Sequence, residues 1–450
     1  MRIVVIPVII LFAVILIKKI PYIGGNIQAA LMLTGLAALI MGGIYNPVSW
    51  IAAWIDGIDR LAWITALAIF GSIYAETQVR LGTMETVINA LRAAFGRSPK
   101  GLIICVVIAL TLAGSLVGDA AAASTVVGVL VVTALYEMKL SPEQVTCTIV
   151  MGASLGSIMP PITQAVFLAA SLTGVDADPV VNIAYITVGI GVLICSLYVA
   201  FSFVKIKTLP EDLIPQEKGR HILAKNWPTL VPLFVLLLLV ILRTGFKIDI
   251  ATMLFGPVLS WLGSVKILKG VSNLIVVNII MAAIAAFCYP AVHRNIGGLF
   301  KTAMKNVFPC VSVQLAAGLM LGAFYAAGQI EAVQAFASGL NENLLKLGGA
   351  GSLTIVGMLT GSQTTAQNTV FSFLAPALTS IGTNPVHTAV AGAHLAMSGQ
   401  GLPPADLTTF VVAGLVGGIL GKKVDPLKAM IYNLPMCLYF LFIGVLFLYL

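Results

Sequence analysis

Residues 149–174 read IVMGASLGSIMPPITQAVFLAASLTG, a stretch apolar and long enough to cross a bilayer but interrupted by Gly156 and the pair Pro160-Pro161. In lipid every backbone N–H and C=O needs a partner, so a segment that breaks its own helix at depth survives only where protein buries it or a wet cavity receives it. Each proline removes a donor and frees an upstream carbonyl, and Gly156 permits backbone angles that other residues avoid. The expected product is a set of free carbonyls facing a new helix N-terminus inside the membrane. The carbonyls suit a cation such as Na⁺, and the N-terminus suits an anion. Gly152, Ser154, Gly156 and Pro160 are therefore candidate cation-site positions.

A second copy of the stretch decides between a site and a simple kink. A shift of 243 lays GSLVGDAAAASTVVG (114–128) over GMLTGSQTTAQNTVF (357–371). The same shift superimposes Gly118 on Gly361, Pro142 on Pro385, Gly156 on Gly399, Pro160-Pro161 on Pro403-Pro404 and Gly174 on Gly417. One Pro-Pro pair is tolerated as a kink in a packed helix, whereas two at corresponding positions of a duplicated chain point to a transport site. Ser398, Gly399 and Pro403 join the candidate cation positions on this ground. Upstream the shift drifts to 246, where Gly82-Thr83-Met84-Glu85 faces Gly328-Gln329-Ile330-Glu331. The first arm is basic, with Arg80, Arg92, Arg97 and Lys100 against Glu76 and Glu85; the second has Glu331 and Glu342 against Lys346. Basic loops stay in the cytoplasm, so the repeats are expected to cross the membrane in opposite senses.

Composition agrees with this picture. Of 450 residues 59% are hydrophobic and 9% charged, with mean hydropathy +1.04, where soluble domains carry roughly 25% charged residues. The fold class is an all-α polytopic membrane protein. The net charge of +8 sits in short loops, at Lys18-Lys19, Lys205, Lys207 and Lys422-Lys423, and anchors cytoplasmic loops rather than nucleic acid. The six cysteines are dispersed without a CxxC pair and read as apolar fillers, so no cofactor beyond a coupling ion is expected. The opening MRIVVIPVIILFAVILIKK has no small-residue cleavage site after it and is expected to stay as a first helix. Candidate spans lie near 2–17, 26–45, 61–75, 101–117, 180–204, 227–243, 248–263, 273–290, 307–326, 348–360 and 429–450. With the polar stretch 206–226 as a linker, the chain divides into N-terminal helices (1–47), a first repeat (48–205), linker and connecting helices (206–293) and a second repeat (294–450).

The polar side chains opening each duplicated block supply the other half of a site. Ser124 and Thr125 in the first, and Gln363, Thr364, Thr365, Gln367 and Asn368 in the second, offer donors and acceptors without fixed charge, which suits a polar or carboxylate substrate. Ser124 and Thr369 equally fit ordinary bonding back to their own helix. Asp119 and Asp406 are acids within or beside interrupted membrane segments, where ionisable groups are costly and usually functional. Both are candidates for Na⁺ or a proton, and Asp406, just after Pro403-Pro404, equally fits a helix cap. His394 is expected as a buried, hydrogen-bonded imidazole, and Arg243 as a residue reaching to the membrane interface.

Gly118 to Ser124, then SPEQVTCTIVMGASLGSIMPPI (141–162) and GTNPVHTAVAGAHLAMSGQGLPPADLTTFVVAGLVGG (382–418), resemble the large, DctM-like membrane subunit of tripartite ATP-independent periplasmic (TRAP) transporters, within the ion transporter superfamily. The resemblance covers 60–205 and 295–450. It implies an elevator-type secondary transporter of the inner membrane, Na⁺-coupled, in which two re-entrant hairpins enclose an organic acid such as a C4-dicarboxylate or sugar acid. It also implies a small four-helix membrane subunit and a periplasmic binding protein as partners. Two places depart from the family's pattern: the tip Gly118-Asp119-Ala120-Ala121, usually rich in Ser and Gly, and Ala405-Asp406-Leu407-Thr408, usually a small apolar residue, Gly and Asn. They leave open a stand-alone carboxylate carrier or a proton-coupled permease. An intramembrane aspartyl protease needs two carboxylates sharing a proton, but Asp119 and Asp406 are not repeat mates. A channel would need a charged filter ring, which this chain does not offer. A carrier, not an enzyme, is expected.

Overall fold

The computed structural model describes residues 2–17, 19–95, 98–210, 219–246, 248–337 and 341–450, and among them every regular element is a helix. The duplication persists helix by helix. Pro99–Val117 and Pro142–Ile158 recur 243 residues later as Glu342–Thr360 and Pro385–Gly401. Ala120–Glu137 recurs over the same register as three consecutive pieces, Gln363–Ala366, a π-helical turn Gln367–Phe371, and Ser372–Ser380.

Local chemistry explains these shared bounds. Ser98, Asp119, Ser141 and Thr163 each cap a helix start by accepting a backbone N–H on the side chain, and so do their mates Asn341, Ser362, Asn384 and Asp406. The residue types differ, but all are strong N-caps, so the boundary survives the substitution. Gly118 and Gly361 stop the ingoing helices at φ 73° and 64°. They are also pressed against the breaks: a Cβ on Gly118 would lie 2.9 Å from the Ile162 carbonyl oxygen, and one on Gly361 1.9 Å from that of Ala405, itself the mate of Ile162.

Two helical hairpins result, hairpin 1 (99–137) and hairpin 2 (342–380), each packed on a broken helix. The first broken helix is Pro142–Ile158 and Gln164–Thr173, the second Pro385–Gly401 and Leu407–Leu420. Pro160-Pro161 and Pro403-Pro404 lie in the breaks, and both bonds are cis. Gly156 and Gly399 are not where the chain breaks, contrary to the sequence expectation. Both are helical, and their lack of a Cβ serves packing. A Cβ on Gly156 would lie 2.4 Å from the Thr111 oxygen and 2.6 Å from Gly114 Cα; one on Gly399 would lie 2.3 Å from the Thr354 oxygen and 2.9 Å from Gly357 Cα. Small residues let each hairpin and its broken helix touch backbone to backbone.

The hairpins enter from opposite faces. At the base of hairpin 1, Lys100 lies over the Phe201 ring at 4.0 Å, and nearby Phe203 meets Tyr432 edge-on at 5.4 Å, beside the start of the last helix, Leu434–Tyr449. At the base of hairpin 2, Lys346 lies over Tyr449 at 4.8 Å, at the far end of that same helix. A helix of 16 residues is about 24 Å long, so the two bases are separated by most of a bilayer core. The repeats are inverted.

Outside this body, Pro47–Arg60 and Ala62–Leu81 form one arm bent by 57°, and Ile296–Ala326 forms another, bent by 43° near Pro309. The arms cross at glycines: a Cβ on Gly57 would lie 1.8 Å from the Gly318 oxygen, and one on Gly322 1.8 Å from that of Ala53. The helix Gly219–Phe246 begins inside the polar stretch expected to be a linker, and 211–218 lies outside the described residues. Several expected spans are shorter than a bilayer requires. By length and hydropathy three unbroken helices qualify among the described residues, Pro99–Val117, Ala177–Ser202 and Gly219–Val240, and three bent pairs qualify if each counts as one.

Candidate functional site

Both hairpin tips and both breaks meet at one cavity of about 130 Å³. Hairpin 1 contributes Gly118 to Ala121, hairpin 2 contributes Gly361 to Thr364, the first break contributes Gln164, and the second contributes Gln400, Leu407 and Thr408. No Lys, Arg or His lines it among the described residues.

Gln363 holds the parts together. Its backbone N–H donates to Gln400 Oε1 at 3.0 Å, and its side-chain Nε2 donates to Ser157 Oγ at 3.0 Å. Ser157 and Gln400 are themselves 243 apart, so one residue of hairpin 2 reaches both members of a repeat pair. The same two residues stand four before Pro161 and Pro404, whose nitrogens carry no hydrogen; their carbonyls therefore lose the helical donor. Gly156 and Gly399, four before the other prolines, recover donors from Met159 and Leu402. Ile162 N–H, the would-be donor to Ile158, goes to Ser115 of hairpin 1 at 3.0 Å. Each break thus leaves carbonyl density at the helix end facing its hairpin, the chemistry a hard cation takes. Sequence reasoning missed Ser157 and Gln400, although the shift of 243 already paired them.

The expected substrate contacts separate into groups. Gln363 and Thr364 line the cavity. Ser124 donates to the Ala120 carbonyl at 2.6 Å and Thr125 to Ala122 at 2.9 Å, so both bond back to their own helix. Thr365, Gln367 and Asn368 are buried behind the tip. Gln367 is fully buried with neither amide atom paired, and it opens the π-helical turn, a distortion frequent at functional sites. Asn368 donates to the Thr364 carbonyl at 2.9 Å while its Oδ1 stays unpaired.

The expected cation positions also divide. The Gly152 carbonyl accepts from Thr111 Oγ1 at 3.2 Å, while Ser154 Oγ is buried and unpaired. Ser398 Oγ donates to the Cys437 carbonyl at 2.8 Å. Asp406 is fully buried and both its oxygens are engaged in capping, one by Thr408 N–H at 3.0 Å and the other by Thr409 Oγ1 at 2.5 Å. Asp119 also caps, accepting from Ala122 N–H at 2.7 Å, but it stays exposed to the cavity. His394 is buried between Thr187 Oγ1 at 2.8 Å and the Val390 carbonyl at 2.7 Å, and Arg243 pairs with Asp178 at 2.9 Å. No group of three or more His, Cys, Asp or Glu side chains is placed to hold a metal among the described residues.

Inverted repeats whose two hairpin tips and two broken helices close around one cavity define a secondary-transporter architecture. Over residues 4–450 the chain matches the family described as "Tripartite ATP-independent periplasmic transporter, DctM component", and it belongs to that family. It is a multi-pass component of the inner membrane and a transporter subunit, not an enzyme. Membership implies work with a small membrane subunit and a periplasmic binding protein. Among solved structures the fold is similar to that of the Alcanivorax borkumensis YdaH transporter, whose topology is described as unusual. The TM-score is 0.61 at 13% identity, over 89% of this chain and 86% of that one. No curated protein matches the chain.

Proposed function

We propose that this component carries a small organic acid, of the size of a C4-dicarboxylate or sugar acid, through the cavity between the hairpin tips, coupled to Na⁺ bound at the two helix breaks. The observation that carries the proposal is the convergence of both tips and both breaks on that one cavity. The solute meets hydroxyl and amide groups at Ser362, Thr364 and Gln363, with Gln367 and Asn368 behind them. Na⁺ is assigned to the carbonyl-rich helix ends, around Gly152, Ser154, Gly156 and Pro160 in the first repeat and Ser398, Gly399 and Pro403 in the second. Asp406 adds negative charge through its cap at the second break.

Gln363 ties hairpin 2 to both broken helices, the Ile162 N–H ties the first break to hairpin 1, and the arms cross each other at Gly57 and Gly322 as a frame. This supports an elevator movement of the hairpins and broken helices against the arms. In proteoliposomes carrying the full transporter, a labelled organic acid of this size is expected to accumulate only under an inward Na⁺ gradient. Accumulation driven by a pH gradient alone would replace Na⁺ with a proton.

A further inference from the structure

The charge of the cavity is unusual for a carrier of anions. Although the chain has net charge +8, none of its cationic side chains lines the cavity among the described residues, while the Asp119 carboxylate stands exposed in its wall. A second cavity of about 80 Å³ adjoins it between hairpin 1 and the arms, sharing Asp119 and Gln164. Its other charged lining residue is Glu76, whose own partner is Arg80 at 3.0 Å. Asp119 stands at the start of Ala120–Glu137, where Ala122 N–H donates to one carboxyl oxygen and the helix N-terminus favours negative charge. Across the cavity its repeat mate is the neutral Ser362, whose hydroxyl is bonded to that of Thr364 at 3.2 Å. The binding space is therefore asymmetric, with a carboxyl group on one tip and hydroxyl groups on the other. A dianion placed there meets the Asp119 carboxyl group with no cationic side chain in the cavity wall among the described residues, which is costly where water is scarce.

We infer that the transported acid also carries a protonated nitrogen, and that Asp119 receives this nitrogen while the hydroxyls of Ser362 and Thr364 receive the carboxylate. The solute class is then an aminocarboxylate zwitterion. The inference rests on the reading that this cavity holds the solute.

The test uses purified full-length protein and twin probes that differ by one group: β-alanine against succinate, and 4-aminobutyrate against glutarate. Each is titrated at neutral pH in Na⁺ and in choline buffer, with thermal stabilisation as the readout. Each aminocarboxylate is expected to bind about tenfold more tightly than its twin, and Asp119→Asn is expected to remove the preference. Asparagine caps helices as well as aspartate does, so the variant keeps its fold. Equal binding of the twins, preference for the dicarboxylates, or a preference that survives Asp119→Asn overturns the inference. So does a loss of Na⁺ stabilisation in Asp119→Asn without solute, which would make Asp119 an ion ligand. Na⁺-dependent binding of the dicarboxylates would defeat the inference while leaving the carrier reading intact. No response to any probe, with or without Na⁺, would count against both.

Discussion

At the scale of single residues, the glycines of the broken helices are contact surfaces. An alanine at Gly156 or Gly399 must push a hairpin backbone away, because its Cβ would fall within 2.4 Å of a carbonyl oxygen. Overpacking of this kind costs about 1–3 kcal/mol. Gly156→Ala and Gly399→Ala are expected to lower the thermal unfolding temperature of the purified protein, and Gly414→Ala, which meets nothing within 4 Å, is expected not to. Equal effects at all three would contradict the packing account. Gln367→Ala is expected to raise the apparent KM for solute more than it changes Na⁺ dependence, and the opposite pattern in transport assays would move Gln367 to the ion site. Sequence alone marked these glycines by their repetition but assigned them the wrong cause, since a motif records identity and not backbone angle. Ser157 and Gln400 escaped notice because a single polar residue in an apolar helix reads as a self-satisfied one; only the structure shows both reaching Gln363.

At the scale of elements, helix boundaries were legible wherever capping chemistry is local. Ser141-Pro142 and Asn384-Pro385 announce their helices, and Gly118 and Gly361 end theirs. Pro47–Arg60 was not legible as part of a bent arm, because Asp56, Asp59 and Arg60 dilute its hydropathy. Their partners, Lys266 and Lys269 at 2.6 Å and Tyr325 at 3.7 Å, are far away in sequence. The breaks give the sharpest prediction at this scale. Replacing Pro160-Pro161 by Ala-Ala restores two N–H donors, so the Ser157 carbonyl regains a helical partner, the helix can run on past Gly156, and the proposed cation site closes. The variant is expected to insert normally and to lose transport; normal transport would count heavily against the breaks as sites.

For the whole molecule, orientation follows from the charges once the two faces are known. Lys422 bonds to Tyr136 and lies over its ring at 4.9 Å, Lys428 lies 3.8 Å from Glu143, and Lys205 and Lys207 follow Phe203, all on the face where hairpin 1 is based. The opposite face, at the base of hairpin 2, has Lys346 paired to Glu342. The positive-inside rule places hairpin 1 on the cytoplasmic side. In a background with Cys288 replaced by serine, Lys423→Cys is expected to react with a membrane-impermeant thiol reagent only in inside-out vesicles, and Glu342→Cys only in right-side-out ones. Labelling of both from one side would refute inverted repeats.

On the proposed function, two breaks of one duplicated helix bind the coupling ions of one solute cavity. The most direct measurement of this is the Na⁺ dependence of solute counterflow in proteoliposomes, for the parent protein beside the Pro160-Pro161 and Pro403-Pro404 double-alanine variants. Exchange by the parent is predicted to need Na⁺ with a dependence steeper than one site, and either variant is predicted to lose it. Parent exchange that runs at the same rate without Na⁺ would contradict the account.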